Sequence, residues 1–167
     1  AAIDEFNHGI TQKDIDPLFA PLKQQLPDMI QRVMSKQASA RSQQPEGPFP
    51  VEQQRLLSKK LMKLLTFDFN HGRLDESHHP FCGGIPQDVR LTTRYSKDEF
   101  ISSAMAVCHE TGHAKYEQQL PKQWIDQPVG NSHNMSIHES QSLLVEMQAC
   151  RSIEFMQCIE PIIKAYF

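Results

Sequence analysis

The sequence predicts a mainly α-helical protein with one short β-hairpin beside a central helix. Three observations carry this expectation. Apolar residues recur at helical spacing through most of the 167 residues. One interval, 74–95, changes to the two-residue alternation of a strand. That interval runs directly into a helix whose start reads as a capping box, Ser96-Lys97-Asp98-Glu99. The length suits one ordinary domain. With 39% hydrophobic residues and mean hydropathy −0.50 there is material for a core. No run approaches the ~20 apolar residues of a membrane span, and no signal-peptide pattern opens the chain. A net charge of −3, a pI near 6.2 and the lack of any Lys/Arg block argue against a nucleic-acid partner.

Taken in order, the residues through about Gly9 read as the end of a helix. Thr11-Gln12-Lys13-Asp14 opens another, with Ile15, Leu18, Phe19, Leu22 and Leu26 at helical spacing. Pro27 is expected to break or restart it, and Met29, Ile30, Val33 and Met34 continue one face. This stripe is expected in the core, with a dimer contact as the other reading. The proline-bearing tract 39–50 reads as a loop. Pro50 leads into a helix with an apolar face of Val51, Leu56, Leu57, Leu61, Leu64 and Leu65, its lysines and Arg55 being solvated. Residues 67–72 form a turn region, and His71 and His78 are ordinary surface or turn histidines. Over 74–95, two extended runs flank the turn signal Cys82-Gly83-Gly84-Ile85-Pro86. In the second run Asp88, Arg90, Thr92 and Arg94 alternate with Val89, Leu91, Thr93 and Tyr95.

The next helix holds the chemistry. Phe100, Ala104, Val107 and Cys108 supply one stripe, with Met105, His109, Gly112, His113 and Tyr116 beside it, and Pro121 closes the helix. Its centre reads His109-Glu110-Thr111-Gly112-His113, the His-Glu-x-x-His pattern. On a helix the two histidines lie one turn apart on one face and reach a single metal ion. Such a site is expected to hold zinc, with cobalt or another divalent ion able to substitute. Glu110 sits beside the water position without being a ligand, where a general base is needed. Cys108 points about 100° away around the helix and is assigned to packing.

A third ligand is expected from Ile137-His138-Glu139-Ser140-Gln141-Ser142, which opens the last helix, running to the Pro161 region. Glu139 is the best candidate and His138 a rival, with His133 weaker. Ser136 and Glu139 also form a capping box, so Glu139 could merely cap. Glu139, Ser142, Glu146 and Cys150 share one side, and Leu143, Leu144, Met147, Ile153 and Met156 are expected in the core. Glu146 either orients a liganding histidine or faces water.

His79-Pro80-Phe81, Asp88-Val89-Arg90-Leu91-Thr92, the His-Glu-x-x-His helix and His138-Glu139-Ser140-Gln141 occur in that order. Together they resemble the M32 family of metallocarboxypeptidases. The resemblance implies a zincin-type helical fold with the hairpin beside the metal helix. It implies a zinc-dependent enzyme that acts on the C-terminal bond of peptides, and a homodimeric full-length protein. His109, His113 and Glu139 are then ligands, which favours Glu139 over His138, and Glu110 is the base. His138 and Glu146 support the ligands from behind. The ribbon carrying His79, Asp88, Arg90 and Thr92 faces substrate, whereas on residues alone Asp88 and Arg90 could simply pair with each other. Leu143 departs from the arginine that often follows this tract in the family.

Two further family motifs, IRxxAD and GxxQDxHW, are not found in the chain. It also begins without methionine and ends inside an apolar pattern. It therefore reads as one internal fragment, 1–167, of a larger helical catalytic domain, with a helical part over 1–70 and the β-ribbon and metal-binding helices over 71–167. The fragment alone is expected to hydrolyse peptides poorly, and the rival readings are an endopeptidase of another zincin family and a non-catalytic, metal-free fragment. Cys82, Cys108, Cys150 and Cys158 form no Cys-x-x-Cys pair, which with the lack of a signal favours reduced thiols and the cytoplasm.

Overall fold

A computed structural model of the chain describes residues 2–38 and 45–167. The chain forms two compact units, Ala1–Pro45 and Glu46–Phe167. The tract expected as a loop, 39–50, falls partly outside the described residues.

The first unit holds α1 (Ala2–Phe6) and α2 (Gln12–Gln37). As the sequence suggests, α2 opens at Thr11. The Asp14 carboxylate accepts from the Thr11 amide at 2.9 Å and from its hydroxyl at 2.6 Å. The break expected at Pro27 is absent, and α2 runs unbroken through Pro17, Pro21 and Pro27. Each proline removes one i→i−4 bond, and the turns on either side carry the helix past it. The apolar stripe is also not core, because Leu18, Phe19, Leu22, Leu26, Met29, Ile30, Val33 and Met34 are all exposed. Periodicity reports that a helix has an apolar face, not what covers it.

The second unit is organised around α4 (Ile101–Gln118), which is covered on two sides. One core cluster joins Leu57 and Leu61 of α3 (Val51–Leu64) to Ala104, Met105 and Cys108 of α4, and to Cys150 and Ile159 behind them. The other joins Val89 and Leu91 of the sheet to Val107 and Ala114 of α4, with Met62 and Phe67. Helix α3 presents Gln54, Leu57, Ser58, Leu61 and Met62 to the interior, whereas Leu56 and Leu64, expected on its apolar face, are exposed. Buried Gln54 explains the displaced stripe. Its amide donates to the Phe49 carbonyl, and its oxygen accepts from Ser103 of α4 at 3.0 Å, so a polar side chain occupies the interface with its bonds made.

The sheet has three strands in the order β1-β3-β2: β1 (Gly72–Glu76), β2 (Phe81–Ile85) and β3 (Asp88–Thr93). Strands β2 and β3 form the hairpin, with Cys82 opposite Leu91, and β1 lies parallel to β3, with Leu74 opposite Leu91. The turn falls at residues 86–87, so Cys82, Gly83, Gly84 and Ile85 are strand rather than the expected turn. Gly84 is what the glycine pair supplies. It adopts φ +117°, and a Cβ there would lie 2.2 Å from the Asp88 carbonyl oxygen. Val89, Leu91 and Thr93 are buried and Arg90 exposed, as the alternation requires.

Helix α4 starts later than its expected capping box. The Ser96 hydroxyl accepts from the Asp98 amide, a local turn, and Glu99 caps the Ser102 amide at 3.0 Å. Phe100 precedes the helix, buried against Phe49 and Phe167 with ring centroids 4.9 and 4.7 Å away. The expected last helix is three pieces: α5 (Met135–Leu143), a π-helical stretch Leu144–Cys150, and α6 (Ile153–Tyr166), restarted by Ser152, whose hydroxyl accepts from the Phe155 amide. Asn134, not Ser136, caps α5, accepting from the Ile137 amide at 2.8 Å. Leu143, Leu144, Met147, Ile153 and Met156 are exposed rather than core. The face turned to α4 is the small, polar one, Ser142 and Cys150, because Gly112 of α4 lets the two backbones approach closely. Among the described residues no helix is long and apolar enough to cross a membrane.

Candidate metal centre

Helix α4 carries His109 and His113 one turn apart, and α5 crosses it at Gly112, bringing Glu139 over both rings. Glu139 Oε2 lies 3.2 Å from His113 Nε2, and Glu139 Oε1 lies 3.6 Å from His109 Nε2. The donor atoms of the three residues all fall within 4.8 Å of one another. With Asn134 as cap, the Glu139 carboxylate is free for this cluster. Two imidazoles and one carboxylate form a donor set suited to a catalytic divalent ion.

Each histidine is held from behind. His109 Nδ1 lies 3.0 Å from Glu146 Oε2, and the other Glu146 oxygen accepts from Arg151 at 2.6 Å. Burial alone would raise the Glu146 carboxyl, but the hydrogen bonds from Arg151 and His109 outweigh it and hold it below the usual glutamate range. His113 Nδ1 meets His138 Nδ1 at 2.6 Å, and His138 Nε2 meets Glu117 Oε1 at 2.7 Å. Burial, then the neighbouring His138 and His109, push His113 down to about 4, so it is a neutral imidazole near pH 7.

Glu110 is 7% exposed. Burial is the main cause raising its carboxyl above the usual range; His109 opposes this and the Glu139 carboxylate adds to it. An open cleft of about 420 Å³ adjoins His109 and Glu110 and is lined also by Pro80, Met105, Glu146 and Arg151.

The ribbon residues divide. Pro80 brings the His79-Pro80-Phe81 tract to the cleft, and Thr92 anchors it by donating to the His79 carbonyl oxygen at 2.8 Å. Asp88, half-buried, and Arg90, exposed, pair with each other at 2.7 Å, and neither lines the cleft. Cys108 packs against Cys150, both buried. The sequence reading did not single out Glu117 or Arg151. Glu117 stands one turn beyond His113 on α4, a spacing visible in the sequence. Its partner, His138, comes from another helix and could not be seen there.

The fold and this cluster define a helical, zincin-type protein with a donor set that could hold a divalent ion. The family model for the carboxypeptidase Taq (M32) metallopeptidases matches residues 1–167. The chain belongs to that family. It is 37% identical over 162 residues to thermostable carboxypeptidase 1 of Thermus thermophilus, covering 96% of this chain and 32% of that protein. It is 38% identical over 152 residues to carboxypeptidase 1 of Bacillus subtilis, covering 87% and 29%. The solved metallocarboxypeptidase 1 of Trypanosoma cruzi superposes with TM-score 0.92 at 43% identity, covering 99% of this chain and 35% of that one. The chain thus spans about a third of the length of these relatives.

Proposed function

We propose that this chain carries the metal-holding and proton-transfer part of a zinc-dependent metallocarboxypeptidase, which removes C-terminal residues from peptides as part of a larger helical catalytic domain. The observation that carries the reading is the convergence of His109, His113 and Glu139 donor atoms within 4.8 Å. When bound, zinc supplies Lewis-acid polarisation of the scissile carbonyl and lowers the pKa of water; cobalt or another divalent ion could take its place. Glu110 accepts the proton of the attacking water on a carboxylate oxygen and returns it to the leaving amine nitrogen. Its buried setting, which favours the protonated form, suits it to hold that proton between the two events. Glu146 holds the His109 ring through Nδ1.

The peptide enters along the cleft at Pro80, and β2, paired to β3 on one side only, offers its outer edge to an extended backbone. In this reading Thr92, by holding the His79 carbonyl oxygen, sets Pro80 in the cleft wall. Asp88 and Arg90, bonded to each other, stiffen the ribbon and reach substrate only if that pair opens. The cation for the substrate's terminal carboxylate and the oxyanion donors are assigned to the remainder of the protein, so these residues alone should turn over peptides poorly. The family resemblance suggests a homodimer, and four free cysteines suit a reducing cytoplasm.

Elemental analysis beside a C-terminal release assay tests the reading. One zinc per chain is expected, lost on His109→Ala, His113→Ala or Glu139→Ala and weakened less by His138→Ala. Glu110→Gln should keep the metal and abolish turnover in the intact protein. Metal retained by Glu139→Ala but lost by His138→Ala would reverse the ligand assignment.

A further inference from the structure

Glu117 and His138 lie outside the three converging donors, yet their arrangement is specific. His113 and Glu117 stand one turn apart on α4, and His138 of α5 enters the gap between them. Its ring touches His113 through Nδ1 at 2.6 Å and Glu117 through Nε2 at 2.7 Å. All three side chains are largely buried, at 11%, 13% and 16% exposure for His113, His138 and Glu117. Tyr116 packs edge-on against the His138 ring, with centroids 5.1 Å apart, which limits its rotation.

With a metal ion at His113 Nε2, in place of the proton that Glu139 would otherwise accept there, the hydrogen-bond inventory of these groups leaves one neutral arrangement. A carboxylate only accepts, so the His138 nitrogen facing Glu117 must be the protonated one. A neutral imidazole has one N–H, so the His138 Nδ1 is then a bare acceptor. The nitrogen facing it, His113 Nδ1, must carry the proton. That leaves the lone pair of His113 on Nε2, the atom turned toward Glu139 and His109. The order of donors is Nδ1–H of His113 to Nδ1 of His138, and Nε2–H of His138 to Glu117.

We propose that Glu117 and His138 are positioning residues which act through this relay, holding the His113 ring by its Nδ1–H so that Nε2 faces the metal position. The proposal rests on the metal site proposed above. It makes the site asymmetric: His109 is held directly by a carboxylate, Glu146, whereas His113 is held by a carboxylate one imidazole further away. The bare pair of imidazoles without Glu117 would be free to exchange donor and acceptor roles. In the reversed order His113 carries its proton on Nε2, where it blocks a metal ion.

The test reads tautomers and zinc affinity rather than turnover. In the intact, zinc-loaded protein labelled with ¹⁵N-histidine, long-range ¹H–¹⁵N correlation spectra should show His113 protonated on Nδ1 and His138 protonated on Nε2. Glu117→Ala should weaken zinc, measured by chelator competition, by about 10-fold or more, the range seen when such supporting partners are removed. Glu117→Gln, whose side-chain oxygen still accepts from His138, should lose less and keep the tautomers. Because both residues act through one relay, Glu117→Ala added to His138→Phe should cost almost nothing further. The proposal is overturned by His138 protonated on Nδ1 in the zinc-loaded protein, by wild-type affinity in Glu117→Ala, or by the full Glu117→Ala loss persisting beside His138→Phe. If the unaltered protein binds no zinc, the metal site itself fails; zinc bound equally well by the unaltered protein and by Glu117→Ala fails the relay alone.

Discussion

The contact between α4 and α5 at Gly112 is the narrowest point of the site and gives a sharp test. A Cβ placed on Gly112 would lie 2.6 Å from Ser142 Cα, 2.9 Å from the Gln141 carbonyl oxygen and 3.2 Å from the Ser142 amide nitrogen. Carbon atoms rest at about 3.5–4.0 Å, so Gly112→Ala requires α5 to retreat by about 1 Å. Two effects of opposite sign compete. Replacing a mid-helix glycine by alanine gains about 1 kcal/mol of helix propensity. Overpacking a close interface costs about 1–3 kcal/mol, and the upper end applies because the obstruction is backbone, with no side chain to swing aside. The net expectation is a loss of about 2 kcal/mol, or roughly 6 °C in Tm for a domain of this size. The metal site should suffer more than stability. Glu139 rides on α5, and ligand distances tolerate only about 0.2 Å, so zinc affinity should fall at least about 10-fold. Thermal melting of the metal-free protein and chelator competition measure the two effects separately. Gly112→Ala melting at or above the wild type, with unchanged zinc affinity, would refute the reasoning, since propensity would then have outweighed a clash that the interface absorbed.

Glu146→Ala removes the acceptor at His109 Nδ1 and leaves Arg151 without its partner, so zinc affinity should drop by about 10–100-fold. Chelator competition giving the wild-type value would mean that Glu146 does not orient His109. In α3, Leu57→Ala should cost about 2–5 kcal/mol, because Leu57 is 2% exposed. Leu56→Ala should stay within about 0.5 kcal/mol of wild type, because Leu56 is 42% exposed. Urea unfolding midpoints compare them, and equal losses would contradict the observed orientation of α3.

Some of this protein can be read from the order of its residues, because the governing physics is local. The helices, the alternation of Val89, Leu91 and Thr93, and the one-turn spacing of His109 and His113 follow from backbone periodicity. The resemblance carried by the His79, Asp88, His109 and His138 tracts reached the family, and the match over residues 1–167 agrees with it. Local signals misled where two local solutions compete. Ser96 and Ser136 each looked like an N-cap, yet Phe100 and Asn134 precede the helices, because packing of the Phe100 ring and the Asn134 side-chain bond select the start.

The sequence by itself determined which residue types could hold a metal, and that two of them share a helical face. Only the tertiary structure decided what meets them. It closes α5 onto Gly112 and so sets Glu139 against His109 and His113. It inserts His138 between His113 and Glu117, and through the π-helical stretch it turns Glu146 toward His109. It also leaves the stripe of α2 exposed while burying Gln54 and Ser103. Periodicity specifies a face, but which face is covered, and which distant atoms lie within hydrogen-bond reach, depends on contacts between residues far apart in the chain.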